Sequence, residues 1–184
     1  VMIFGTGNVG ASADYALLNQ NFAEELILVD LNRDRVEGHV QDLADAAAYM
    51  PGMMTISSRT ARECADVDIA VITVSGGPLK PGQTRLDELQ STAKIVKNIV
   101  PQMMENGFNG IFLIATNPCD IITWQVWKLS GLPRNQVIGT GVWLDTTRLR
   151  RALAQTLDIG AQSIDAVMLG EHGDTQFPVW SHSS

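Results

Sequence analysis

Gly5-Thr6-Gly7-Asn8-Val9-Gly10 sets three glycines at GxGxxG spacing, between an apolar run and a segment with helical character. In that setting Gly5 allows a tight turn. Gly7 lets backbone approach a pyrophosphate, and Gly10 lets helix and strand pack closely. The amides at the helix opening, from Asn8 and Val9 onward, offer partial positive charge to phosphates. Asp30 closes a second apolar run. A carboxylate there accepts hydrogen bonds from a ribose 2′-OH and repels a 2′-phosphate, so NAD is expected rather than NADP. Arg33 is a nearby cation that softens this repulsion.

Positioning these residues requires strands and helices in alternation, and the hydrophobic pattern supplies them. Strands are expected at Val1–Phe4, Leu26–Asp30, Met54–Ser57, Ile69–Val74, Ile111–Ala115, Val137–Gly139 and Ile164–Leu169. Several are near-continuous in Val, Ile and Leu, as strands buried on both faces are. Helices are expected at Asn8–Asn19, Arg33–Tyr49, Thr84–Asn106, Ile121–Leu129 and Leu144–Asp158. In the third, Leu86, Leu89, Ala93, Val96 and Val100 recur at helical spacing. The alternation describes an α/β fold, a doubly wound parallel sheet covered by helices. Ser75–Gln83 carries two prolines and three glycines, a loop expected to move.

Composition narrows the function classes. The 184 residues carry 13 Lys and Arg against 20 Asp and Glu, a formal charge of −7. An acidic surface without clustered basic residues argues against nucleic acid. No stretch approaches the roughly 20 apolar residues needed to cross a bilayer, so no membrane partner is expected. Cys64 and Cys119 have no CxxC spacing and fit a reducing, cytoplasmic setting. No histidine pair has metal-ligand spacing, so no metal is expected. His39 and His182 match no motif. The first and last residues read as the edges of a piece cut from a longer polypeptide.

Four further sites complete a pattern: Arg85 at the end of the Gly/Pro-rich loop, Asn117-Pro118 after the fifth strand, Leu144-Asp145-Thr146-Thr147-Arg148 opening a helix, and Gly170-Glu171-His172-Gly173-Asp174 after a strand. Together with GTGNVG and LKPGQTRLDEL, they resemble the L-lactate/malate dehydrogenase family over essentially the whole chain, and more specifically its lactate and L-2-hydroxyisocaproate branch. The resemblance implies a Rossmann NAD-binding domain over residues 1–139 and the beginning of an α+β substrate domain over 140–184. It implies a homodimer or homotetramer acting on a small 2-oxo or 2-hydroxy acid.

It also implies roles. His172 is the acid–base residue, suited because imidazole titrates near working pH. Asp145 fixes its tautomer and stabilises the imidazolium. Arg148, one helical turn after Asp145, binds the substrate carboxylate through its planar fork. Arg85 polarises the carbonyl from a loop that closes over the site. Asn117 is expected beside nicotinamide and substrate. Leu79 occupies the position that faces the substrate side chain, where lactate enzymes carry Gln and malate enzymes Arg. An apolar Leu79 favours larger aliphatic substrates such as 2-hydroxyisocaproate. The alternatives are a malate dehydrogenase, disfavoured by Leu79, and a non-catalytic NAD-binding fragment, which has no use for His172.

Overall fold

Side chains of Met2, Ile3 and Phe4 alternate between two separate cores, which shows a strand covered on both faces. Met2 and Phe4 (β1, Met2–Phe4) join one cluster and Ile3 the other. The same alternation holds in β2 (Glu25–Val29), where Ile27 parts from Leu26 and Leu28. It recurs in β4 (Ile69–Ile72), where Val71 parts from Ala70 and Ile72. The computed structural model describes residues 1–77 and 85–184, with the side chains of α3 described from residue 88.

The sheet runs β3-β2-β1-β4-β5-β6, with β3 at Thr55–Ser58, β5 at Ile111–Ile114 and β6 at Val137–Gly139. The β1–β2, β1–β4, β2–β3 and β4–β5 pairings are all parallel. One face is covered by α1 (Asn8–Gln20) and α2 (Arg33–Ala47) through Leu18, Val36 and Leu43. The other is covered by α3 (Arg85–Glu105) and α4 (Cys119–Ser130) through Val96, Val100, Met103, Ile122 and Val126. This is a doubly wound α/β sheet, with the reversal of strand order between β1 and β4, where such sheets bind ligands. No described helix is long and apolar enough to cross a membrane.

The chain divides into two compact units, Val1–Ile138 and Gly139–Ser184. In the second, α5 (Trp143–Leu157) packs Ala154, Leu149 and Leu153 on Ile164 and Ala166. Here the strand expected over Ile164–Leu169 is corrected to β7 at Met168–Leu169, antiparallel to β8 at Phe177–Pro178. A 3-10 turn at Ala161–Ser163 enters the segment, and another at Trp180–His182 interrupts its partner, so the ladder stays short. Single pairings still continue it, from Val179 N–H to Val167 O and between Asp165 and Ser184.

The fourth strand stops at Ile72, short of the expected Val74; Thr73 still donates its N–H to Phe4 O, and its hydroxyl bonds the carbonyls of Phe4 and Gly5. Similarly, α4 begins at Cys119 rather than Ile121, directly after Pro118, which lacks the N–H that a helix start does not use.

Candidate active site

Parallel strands bring their C-terminal ends to one edge of the first unit, and Gly5, Asp30, Thr73 and Asn117 all follow such ends. Gly5 turns the chain at φ +99° and donates its N–H to Val29 O at 2.8 Å. A Cβ on Gly10 would lie 1.8 Å from Gly5 O and 2.9 Å from Thr73 Oγ1, so α1 and the loop touch backbone to backbone. Gly7 is different: a Cβ there would meet nothing within 4 Å. Gly7 caps α1 without a side-chain hydrogen bond, and Asn8 and Val9 are exposed at the helix opening. Space over Gly7 and an uncapped helix start suit a pyrophosphate.

Asp30 is held by three donors. Thr6 donates its N–H (2.8 Å) and its hydroxyl (3.0 Å) to Oδ2, and Asn32 donates its N–H to Oδ1 (3.1 Å). Burial alone would raise the Asp30 pKa, but the bonds from Thr6 and Asn32, with the charge of Arg35, hold it below the usual carboxylate range. The carboxylate therefore stays ionised and acceptor-only, as a ribose-binding group must. The cation acting on Asp30 is Arg35, while Arg33 is exposed at the start of α2. The sequence reading missed Thr6. Its signal was a hydroxyl residue between the first two glycines, where the side chain can turn back toward the end of β2.

In the second unit the geometry is built from α5 outward. Thr146 Oγ1 accepts the N–H of Met168 at 3.0 Å, and Arg150 donates to Ala166 O at 2.8 Å and Asp165 at 3.0 Å. These bonds pin β7 beside the first turns of α5. Gly170, at φ +101°, then starts the turn that carries His172; a Cβ there would sit 3.2 Å from backbone atoms of Thr175 and Gln176. The result brings His172 Nδ1 to 2.6 Å from Asp145 Oδ2. Arg148 donates to Asp145 Oδ1 at 3.2 Å, with its side chain 59% exposed. Burial would raise the Asp145 pKa, but His172 and Arg148 outweigh it and hold it below the usual range. A carboxylate that stays charged beside an imidazole fixes the ring and stabilises its cation.

Of the remaining expected residues, Asn117 is exposed just beyond β5. Arg85 begins α3 in its backbone. The Arg85 side chain, Leu79 and most of the Gly/Pro-rich loop lie outside the described residues. Cys119 is buried, and its thiol donates to Ile114 O.

Residues 1–139 match the family described as lactate/malate dehydrogenase, NAD binding domain, and residues 143–184 match the family's alpha/beta C-terminal domain. The chain is 76% identical over all its 184 residues to L-lactate dehydrogenase 2 of Listeria monocytogenes, covering 59% of that protein. It is 50% identical to L-lactate dehydrogenase 1 of Bacillus cereus, covering 58%. It thus spans somewhat over half the length of these relatives. Among solved structures, the minor L-lactate dehydrogenase of Enterococcus mundtii in its ligands-bound form superimposes with a TM-score of 0.95. Identity there is 44%, over 100% of this chain and 58% of that one. The ligands-unbound form of the same enzyme gives 0.87.

Proposed function

The chain belongs to the lactate/malate dehydrogenase family, and from that premise we propose that it is an NAD-dependent L-2-hydroxy-acid dehydrogenase, reversibly reducing a 2-oxo acid. The observation that carries this reading is the 2.6 Å pair of His172 and Asp145, which a protein that only binds a dinucleotide does not need. On this reading residues 1–139 are the cofactor domain and 140–184 open the substrate domain. The protein works in the cytoplasm as a homodimer or homotetramer. Its two buried free thiols fit that compartment.

Gly5, Gly7, Gly10 and the amides of Asn8 and Val9 hold the pyrophosphate of NAD, and Asp30 holds its ribose. Bound NADH supplies the hydride. His172 gives a proton to the substrate carbonyl oxygen and takes it back in the reverse direction. Asp145 keeps Nδ1 as the inner nitrogen, so that Nε2 exchanges the proton. Arg148 takes the substrate carboxylate with its planar fork, a geometry lysine lacks. Arg85 stabilises the charge that grows on the carbonyl oxygen, and Asn117 lines the nicotinamide side.

Leu79 makes the substrate an aliphatic 2-oxo acid larger than pyruvate, such as the one derived from 2-hydroxyisocaproate. Three added carbons at about 0.8 kcal/mol each are worth roughly 50-fold in kcat/KM. The names of the relatives favour a second reading, pyruvate as the main substrate. Oxaloacetate is expected to be poor, because Leu79 offers no cation. The test is NADH oxidation with pyruvate, 4-methyl-2-oxopentanoate and oxaloacetate. Leu79→Gln is expected to shift preference toward pyruvate, and Leu79→Arg toward oxaloacetate. His172→Ala is expected to cut turnover roughly 100-fold or more while NADH still binds. Near-normal turnover in His172→Ala would remove the histidine from the mechanism. A preference for pyruvate unmoved by Leu79→Gln would remove Leu79 from specificity.

A further inference from the structure

Thr6 is completely buried, yet both of its donors converge on one oxygen of Asp30. We propose that Thr6 is a positioning residue of the cofactor site: its hydroxyl and amide lock the Asp30 carboxylate in the orientation that receives the ribose diol, and so set the preference for NADH over NADPH. The proposal rests on reading Asp30 as the ribose-binding group.

An aspartate at a strand end has two soft torsions and, unrestrained, samples several staggered rotamers. Two donors from Thr6 on Oδ2 and one from Asn32 on Oδ1 fix both torsions together. Removing the hydroxyl leaves one backbone bond on each oxygen, from Thr6 on Oδ2 and from Asn32 on Oδ1, and so a weaker hold on the rotamer and on the charge. The same bonds keep Asp30 ionised in spite of its partial burial. Ionisation matters twice, because a carboxylate accepts from a 2′-OH and repels a 2′-phosphate, and a neutral or rotated acid does neither well. Arg35 sharpens the dependence. Its charge acts on Asp30, and once the carboxylate turns away, that cation is available to a 2′-phosphate. With no exposed surface, Thr6 does not itself reach a cofactor.

The experiment measures NADH and NADPH affinity by fluorescence titration, and the Asp30 carboxyl titration by carbon NMR, in the intact protein. Thr6→Val keeps the shape and removes the hydroxyl; Thr6→Ala removes the hydroxyl with less bulk, should valine disturb folding. Either is expected to weaken NADH binding roughly tenfold, narrow the NADH/NADPH ratio and raise the Asp30 pKa. Thr6→Ser retains the donor and is expected to stay within about twofold of the unmodified protein. Asp30→Asn runs alongside as the control for the underlying reading. If Asp30→Asn leaves the NADH/NADPH ratio unchanged, Asp30 does not read the ribose, and the role of Thr6 falls with it. If Asp30→Asn collapses the ratio while Thr6→Val and Thr6→Ala leave both the ratio and the Asp30 titration unmoved, Asp30 stands and Thr6 is only a packing residue.

Discussion

Two buried carboxylates in this molecule are pushed in opposite directions. Asp145 is met by His172 and Arg148, and although burial opposes it, the pair holds its pKa down. Its contribution to stability is therefore present above the ordinary carboxylate range and lost as pH falls through the lowered value. Asp14, on the buried stripe of α1 with Gly10 and Leu18, has neither oxygen hydrogen-bonded among the described residues. His39 Nδ1 stands 4.0 Å away, too far for a hydrogen bond, and the Tyr15 hydroxyl beside it is engaged with Asp42. Burial pushes Asp14 up to about 7. Between the unfolded value of 3.8 and about 7, the unfolded chain is ionised while the folded chain keeps its proton, so stability falls across that window. Asp14→Asn removes the penalty. It is expected to stabilise the protein on the order of 3 kcal/mol at pH 8 and to change little at pH 4. Urea unfolding at the two pH values checks this, and an equal effect at both would mean that Asp14 is not held neutral.

At the scale of elements, the β1–α1 junction uses its glycines for different ends, and substitution separates them. Gly10→Ala drives a methyl to within 1.8 Å of Gly5 O, a backbone atom that cannot swing aside. Thermal and urea unfolding are expected to show a loss of roughly 3 kcal/mol. Gly7→Ala places its methyl where the protein has nothing, at φ −72° and ψ −170°, which alanine adopts freely. Stability is expected to hold within about 0.5 kcal/mol, while NADH binding weakens about tenfold or more. Loss of stability without loss of binding in Gly7→Ala would reassign that glycine to the fold. This junction was legible because its constraint is local: one turn, one helix start, one spacing. The alternation of Met2, Ile3 and Phe4 was legible for the same reason, since a strand buried on both faces is apolar at every position. The Thr6–Asp30 clamp was not, because it depends on two side chains 24 residues apart facing each other. Nor was the shortening of Ile164–Leu169 to a two-residue strand at its end, because β8 pairs only briefly and apolar content alone does not report a partner's length.

Within these 184 residues the apolar material is divided unequally. The first unit has two cores on the two faces of one sheet, with Met2, Ile3, Leu26, Leu28, Ile72 and Phe112 fully buried. The second unit centres on Ala154, Ile164 and Ala166, with Leu149 and Leu153 partly buried against them. Trp143, Leu157, Phe177 and Trp180 of that unit are exposed, Trp143 by 69%. Exposed apolar surface contributes nothing to folding, and two of the three buried apolar side chains are single methyl groups. Local opening free energies follow such differences, from near zero at poorly packed segments to the global value in well-packed strands. Yet the second unit holds the His172–Asp145 pair, so its order determines whether the histidine proposed as the acid–base residue is in place. Hydrogen exchange followed by mass spectrometry on the 184-residue chain is expected to show α5, β7 and β8 losing protection at least about tenfold faster than β1, β4 and β5. The amide of Met168, held by Thr146, is expected to be the slowest within β7. Equal protection in both units would instead mean that they unfold as one cooperative block, and that the small core of the second unit does not limit the order of His172.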